Sequence, residues 1–425
     1  MTAPLSLHAY RLLTALGTPL AGPFLSMRLR RGKEDPHRIG ERRGRAGLSR
    51  PAGRLVWLHG ASVGEAVSLL PFVERITRAG AVALVTTGTV TSAALLSQRL
   101  PSGALHQYAP LDSPFFLRRF LAHWRPDAAL FAESELWPNM ILELRRAGSP
   151  LAMINGRISE RSFSRWRKAP RLIGELLSHF DLCLARSEGD GERLTALGAP
   201  RVLIAGDIKF DAPALPADRR ELAELSGLTS GRQIWIAAST HVGEDRMAAD
   251  AHKRLIQVFP DALTLIAPRH PERGEEIRRE LEAQGLVCAL RSRGDRPGQG
   301  TAVYICDTIG ELGLFYRLAG VVFVGKSFAG GGGQNPIEPA RLASAILHGP
   351  MVANFRDVYA SLDEGGGALE IQRPQDLGDA LIALFANTAR LRAMARAAGD
   401  TVERRAGAVE RSMRALAPLL PAPVA

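Results

Sequence analysis

From Leu55 onward, short apolar runs alternate with polar or Gly-rich turns, and then with stretches whose apolar residues recur at helical spacing. The runs that predict strands are Leu55–Leu58, Val82–Thr86, Ala128–Phe131, Leu151–Ile154, Leu182–Ala185 and Val202–Ile204, separated by helical stretches such as Glu65–Arg78 and Thr91–Leu100. A second series follows at Ile234–Ala238, Leu263–Ala267, Val287–Leu290, Val303–Cys306, Val321–Val324 and Ala345–Leu347. Short β-rich runs interleaved with helices predict parallel strands joined by right-handed crossovers, an α/β doubly wound class.

The two series are divided by Phe210–Arg219, FDAPALPADR, which holds two prolines and little periodicity. The expected organisation is a basic, membrane-associating segment over 1–50, a Rossmann-like domain over 51–209, a linker over 210–220 and a second Rossmann-like domain over 221–425. Two such halves leave a cleft, and ligands gather beyond the carboxyl ends of parallel strands. An Arg- and Ala-rich helix is expected from Leu391 to Leu416, packing back across the halves.

Ahead of the first strand the pattern differs. Leu12 to Met27 carries no charge but is short for a span of about 20 residues, and Gly17, Pro19, Gly22 and Pro23 interrupt it. Cations follow it instead of preceding it, which is the reverse of a cleaved signal peptide. Between Arg28 and Arg54 stand ten Arg or Lys against three Asp or Glu, seven of the net charge of +11. Nucleic acid and an anionic membrane surface are both partners for such a surplus. The apolar run beside it favours a patch lying in the lipid interface with the arginines facing anionic head groups; a short helix packed on the body is the alternative. Three widely spaced cysteines, Cys183, Cys288 and Cys306, fit a reducing compartment and argue against a disulfide framework or a zinc site.

Chemistry-bearing residues cluster just after the expected strands. His59-Gly60-Ala61-Ser62-Val63-Gly64-Glu65 aims a Gly-rich turn and a helix start at the active edge, with Glu65 either a general base or a carboxylate complementing the helix dipole. Glu133 and Glu135, in ESELWPN, resemble a paired acid and base, or a capped turn. Lys209, in GDIKF, stands where a phosphate or sugar carboxylate could be neutralised, or is simply solvated. In the second half, Ser239-Thr240-His241 and Arg269-His270 follow strands, and the Arg269 fork suits a phosphate. Gly330 to Gly333 permit positive φ and close backbone approach. They precede Asn335, Pro336, Ile337 and Glu338, a Pro-containing helix start for a phosphate and a carboxylate for ribose hydroxyls. A flexible loop without a ligand is the alternative. No GKS/T P-loop, GxGxxG after the first strand, GxSxG or HExxH is present, and no metal-ligand spacing is convincing. The residues alone point to a two-domain enzyme with a nucleotide in the second half and an acceptor in the first.

In order, HRIGERRG, HGASVGEA, TTGTVTSA, YAPLD, ESELWPNM, NGRISERS, GDIKFD, ASTHVGED, APRHPER, DTIGELGLFY and GGGQNPIEPA resemble one family, the 3-deoxy-D-manno-octulosonic acid (Kdo) transferases of lipid A biosynthesis. These are glycosyltransferases of family 30 with the GT-B fold, two Rossmann-like domains facing a cleft. The resemblance runs from about Arg38 through the second sheet and extends to the apolar N-terminal anchor. It implies an inverting transfer of Kdo from CMP-Kdo to a 6′-hydroxyl of a tetraacyldisaccharide lipid A precursor (lipid IVA), in lipopolysaccharide biosynthesis at the cytoplasmic side of a Gram-negative inner membrane. By motif match Glu65 would be the base, and Glu135 and Lys209 would stabilise the transition state, with Glu133 a further partner. Arg269, His270, the Gly310-Glu311-Leu312 turn and Asn335 to Glu338 would bind CMP. No metal, cofactor or nucleic acid is implied. This sequence departs from the family at Gln334, usually histidine, and at Lys326, often glycine. Another GT-B enzyme using a different nucleotide sugar, a related epimerase, and a non-catalytic basic binding protein are the competing readings.

Overall fold

The computed structural model describes residues 4–421, which fall into two compact units: 4–211 together with 406–421, and 212–405. Unit 1 is built on seven strands, β1 (Leu55–His59), β2 (Val82–Thr87), β3 (Ala104–Tyr108), β4 (Ala128–Ala132), β5 (Leu151–Gly156), β6 (Leu182–Ala185) and β7 (Val202–Ile204). All pair in parallel, in the order β3-β2-β1-β4-β5-β6-β7. Unit 2 holds β8 (Ile234–Thr240), β9 (Leu263–Pro268), β10 (Cys288–Leu290), β11 (Val303–Ile305), β12 (Val321–Val324), β13 (Ala345–His348) and β14 (Ala368–Glu370), ordered β10-β11-β9-β8-β12-β13-β14 and again parallel. The strand order reverses between β1 and β4 in the first sheet and between β8 and β12 in the second, and each reversal opens a crevice at the carboxyl ends.

All twelve expected strands are present. The two that the apolar pattern omits, β3 and β14, lie at sheet edges: β3 reads ALHQY with two polar residues, and β14 is three residues long. Central strands are buried on both faces, as parallel strands covered by helices must be. Every residue of β1 is buried, and Trp57 packs on Phe120 and Phe131 with ring centroids 4.7 and 5.3 Å away. Burial of each such side chain is worth about 2–3 kcal/mol.

Two expected boundaries are corrected. The first fifty residues do not form a separate segment, because polar contacts fasten them to unit 1. Within helix Leu5–Leu16, the Tyr10 hydroxyl donates to Asp112 (2.9 Å), Arg11 pairs with Glu143 (2.7 Å) and Thr14 accepts from Asn139 (2.9 Å). Part of the basic surplus is interior as well: Arg42 is buried, pairs with Glu34 at 2.8 Å and donates to the Ala109 carbonyl at 3.0 Å.

The single C-terminal helix expected over Leu391–Leu416 is two, Thr388–Arg405 and Ala408–Leu416, broken where Gly407 takes φ 85°. The first helix belongs to unit 2. The second returns to unit 1, where Ala408, Val409 and Leu416 join the apolar cluster around Val56 and Leu58. Asp211 caps it, its two carboxylate oxygens accepting the Gly407 and Val409 N–H groups at 2.5 Å.

Loss of that cap is a direct test. Asp211→Ala should cost about 1–2 kcal/mol and raise amide exchange in Ala408–Leu416, leaving the second sheet's exchange unchanged. Unaltered protection of this helix would show that apolar packing alone holds it.

Candidate active site

In unit 1 the site begins where β1 ends. Gly60 to Ser62 turn into helix Val63–Arg78, whose start is a capping box: Ser62 Oγ accepts from Glu65 N–H (3.3 Å), and Glu65 Oε2 accepts from the Ala61 and Ser62 N–H groups (2.6 and 3.1 Å). Glu65 therefore caps the helix start, which goes beyond the dipole-complementing role weighed from the sequence. The cap occupies one oxygen only, since Oε1 makes no hydrogen bond with any described residue. Gly60 is obligatory here, because a Cβ would lie 2.9 Å from the Glu65 Cβ.

Glu133 follows β4, across the strand reversal from β1. It holds φ 52°, in the left-handed region, and its N–H donates to the Ile154 carbonyl (2.9 Å). Burial pushes its carboxyl above the ordinary value. The charge of Lys209 opposes that shift, the charge of Glu65 adds to it, and Arg157 and Arg186 pull it back down. Glu65, Glu133 and Lys209 thus form one electrostatic group. Lys209 lies in a short 3₁₀ turn after β7, set by Asp207 accepting the Lys209 N–H (3.0 Å) and by buried Asn155 accepting the Ile208 N–H (3.2 Å). Arg186, after β6, pairs with Asp190 (3.0 Å) and faces Asp207 (3.6 Å).

Glu135 has other partners. It accepts from Trp137 Nε1 and lies 3.4 Å from His59 Nε2. Burial would raise its carboxyl, but His59 and Trp137 outweigh this and hold it below the usual range. His59 is buried, with Nδ1 2.9 Å from Thr86 Oγ1, which also accepts from Trp57 Nε1 (2.8 Å). His59 Nε2 thus faces the Glu135 carboxylate without completing a hydrogen bond, while Nδ1 shares one with the Thr86 hydroxyl.

In unit 2, Arg269 and His270 follow β9 and are exposed, with the His241 and His270 rings 6.1 Å apart. Glu338 lies on the short helix Ile337–Arg341. Burial raises its carboxyl, and the Asn335 side-chain amide (3.2 Å) and the charge of Arg269 act against that. Asn335, Glu338 and Arg269 therefore interact as one group. The expected helix-start amides are fewer than the pattern implied, since Pro336 has no N–H and the Ile337 N–H is taken by Asn335 Oδ1 (3.1 Å). Gly330 to Gly333 all adopt positive φ, between 64° and 104°. Lys326 sits at φ 60°, in the left-handed region that favours glycine.

In the Gly310-Glu311-Leu312 turn, Gly310 takes φ 88° with open space around it and Leu312 begins helix Leu312–Leu318. The Glu311 side chain is committed elsewhere: Arg291 donates to it at 2.6 and 3.0 Å and holds its carboxyl below the ordinary value. The backbone at Gly310 is the open part of this turn. Among the described residues, no group of three His, Cys, Asp or Glu is placed to hold a metal ion.

Sequence reasoning passed over Arg157 and Arg186, each a single arginine just after a strand, and Glu244, a buried carboxylate after β8. A signal for Glu244 was available: Val-Gly-Glu recurs after the first strand of each sheet, at 63–65 and at 242–244.

A family profile described as "3-Deoxy-D-manno-octulosonic-acid transferase (kdotransferase)" matches residues 37–212. The 3-deoxy-D-manno-octulosonic acid transferase of Bordetella pertussis is 36% identical over 387 residues, 88% of this chain and 90% of that protein. The Haemophilus influenzae protein of the same name is 31% identical over 418 residues, 97% and 98% of the two chains. A probable mitochondrial 3-deoxy-D-manno-octulosonic acid transferase of Arabidopsis thaliana is 33% identical over 407 residues, 93% and 91%. Among solved structures, a glycosyltransferase from Rickettsia africae aligns with TM-score 0.57 at 11% identity, over 87% of this chain and 99% of that one. UDP-GlcNAc 2-epimerase from Neisseria meningitidis aligns with TM-score 0.55 at 13% identity, over 85% and 100%. At such identities these two structures share the fold alone.

The raised Glu133 carboxyl makes a signed prediction. The folded protein holds this proton more tightly than the unfolded chain, so the associated stability is complete below the ordinary carboxyl value of about 4.3 and is lost as pH rises through the folded value. Glu133→Gln never ionises. Its melting temperature should match that of the unsubstituted protein below about pH 4 and exceed it near about pH 8. Coincident melting at the higher pH would show that the site imposes no charge penalty on Glu133.

Proposed function

This chain belongs to the Kdo transferases, glycosyltransferases of the GT-B fold, and from that membership we propose that it transfers Kdo from CMP-Kdo to a tetraacyldisaccharide lipid A precursor (lipid IVA) by inverting displacement, releasing CMP. The observation that carries this reading is the grouping of Glu65, with one open oxygen, beside Glu133 and Lys209 at the carboxyl edge of the first sheet.

In the proposed step Glu65 Oε1 accepts the proton of the acceptor's 6′-hydroxyl, whose oxygen bonds to the anomeric carbon of Kdo as the bond to the CMP phosphate breaks. CMP leaves with the electron pair, and a single in-line displacement inverts the centre. Lys209, supported by Arg157 and Arg186, faces the Kdo carboxylate. Glu135, held ionised by His59 and Trp137, stabilises positive charge developing on the sugar ring. On the donor side Arg269 and His270 take the phosphate and Glu338 accepts from ribose hydroxyls. CMP-Kdo is a substrate, and the scheme calls on no cofactor or metal.

We further propose that the enzyme works at the cytoplasmic face of the inner membrane, lying on the bilayer. No described helix is long and apolar enough to cross a membrane. Yet Leu5, Leu12, Leu13, Leu16 and Leu20 are between 60% and 85% exposed, on the side of the N-terminal helices away from their polar contacts to unit 1. Beside them a groove of about 550 Å³ is lined by Arg43, Arg45, Phe115 and Arg119, and none of these arginines pairs with a carboxylate among the described residues. Arginines next to exposed leucines suit anionic head groups above acyl chains. A second groove, of about 390 Å³ and lined by Tyr10, Leu20, Phe24, Phe116 and Trp137, offers acyl chains of the acceptor a path toward Glu135.

Mass spectrometry of products from CMP-Kdo plus lipid acceptor tests the reaction, with CMP release expected only when the acceptor is present. Turnover of UDP-sugars instead, or CMP release indifferent to the lipid, would overturn the assignment. Glu65→Gln should lower transfer by about a hundredfold or more while CMP affinity holds; near-normal turnover would remove Glu65 as the base. Deleting the N-terminal helices would also strip Asp112, Asn139 and Glu143 of their partners, so membrane binding is better tested by replacing Leu12, Leu13, Leu16 and Leu20 with glutamine. That variant should keep its fold and lose about tenfold or more of its affinity for vesicles of anionic phospholipid. Unchanged flotation would place membrane association elsewhere.

A further inference from the structure

The repeated Val-Gly-Glu is put to two different uses. Glu65 keeps one oxygen open, whereas Glu244 keeps neither. Its Oε2 accepts the N–H groups of His241 (3.0 Å) and Lys326 (2.7 Å), and its Oε1 those of Ser327 (3.0 Å), Phe328 (3.0 Å) and Ala329 (3.3 Å). The residue is 1% exposed. Four of the five donors come from the loop after β12, which continues through Gly330–Gly333 to Asn335 and Glu338.

Consecutive N–H groups curled around one point form a concavity for anions. Here the chain supplies the anion itself. A buried charge persists only when its hydrogen bonds compensate for lost hydration, and five charge-assisted bonds do so. A glutamine could not take over: whichever way its amide turned, the NH₂ would confront two or three N–H donors. The backbone is shaped to the same end. A Cβ on Gly325 would lie 2.6 Å from the Ser239 carbonyl oxygen and 2.9 Å from Glu244 Oε2, and Ser239 and Lys326 hold φ 56° and 60°.

We propose that Glu244 is a positioning residue for the donor site, an internal anion that fixes the turn at Lys326–Ala329 and thereby sets where Asn335 and Glu338 meet the nucleotide. It touches no substrate. The inference rests on the donor assignment of Asn335–Glu338 made above.

The test compares Glu244→Ala and Glu244→Gln in the full chain, with formate and its neutral counterpart formamide as probes. Alanine leaves a carboxylate-sized hole ringed by the five N–H groups. In both variants, amide exchange at residues 326–329 should rise about tenfold or more, the KM for CMP-Kdo should rise about tenfold or more, and the KM for the lipid acceptor should stay put. Formate should reverse both rises in Glu244→Ala, while formamide should not, and neither should act on Glu244→Gln, whose side chain still fills the space. Unchanged exchange in both variants, or rescue by formamide as effective as by formate, overturns the inference. Loosened amides that formate restores, with no change in the CMP-Kdo KM, would instead overturn the donor assignment of the loop, and the positioning role with it. Should Glu244→Ala not fold, Glu244→Gln carries the same comparison of exchange and KM.

Discussion

At the carboxyl edge of each sheet a glutamate is withdrawn from water, and what the fold supplies against that withdrawal decides what the edge can do. Two unit charges about 4 Å apart interact by about 4 kcal/mol at a protein surface, so neither sheet can leave such a group uncompensated. In the first sheet Lys209, Arg157 and Arg186 act on Glu133, which in turn feels Glu65. Cationic side chains can be shared with an arriving substrate, so their compensation remains available to chemistry. In the second sheet backbone N–H groups surround Glu244, and amides locked in a turn cannot be lent out. In the proposed reaction the first glutamate group is therefore reactive, whereas Glu244 itself is architecture beside the donor residues.

Backbone geometry serves the same division. Glu133, after β4, and Lys326, after β12, occupy matching places beside the reversal of strand order, and both are left-handed at φ 52° and 60°. Non-glycine residues in such a state cost about 1–3 kcal/mol where the conformation is strained. Each strand is thus made to turn sharply as it leaves the sheet, so the following loop comes back toward the neighbouring strand. In the first sheet the turn places Glu133 in the group with Glu65. In the second it curls Lys326–Ala329 around Glu244.

Much of this could be read from the chain before any coordinates. Apolar runs located the central strands because burial on both faces demands continuous hydrophobicity, and the same logic explains why edge strands β3 and β14 escaped notice. The glycines at 330–333 and the carboxylate at Glu65 stood out because their chemistry is local. What resisted reading depends on distant partners. Glu311 looked free to meet a nucleotide until Arg291, twenty residues earlier, was seen to hold it. The apolar stretch before the first strand was visible as a pattern, but the fastening of its helices to Asp112, Asn139 and Glu143 needs residues about a hundred positions away. The break at Gly407 was visible as a glycine, yet nothing local shows that the chain changes unit there.

That change of unit alters the order in which the protein can be completed during synthesis. Residues 212–405 have all their parts once Arg405 leaves the ribosome, whereas the unit begun first still lacks its closing helix. At about 5–20 residues per second, the stretch between the two parts of unit 1 takes about 10–40 s to make. Throughout that interval the apolar surface of helix Val63–Arg78 and of the turn Ile208–Asp211, against which Ala408–Leu416 packs, stays bare. The older half of the polypeptide is therefore the last to close.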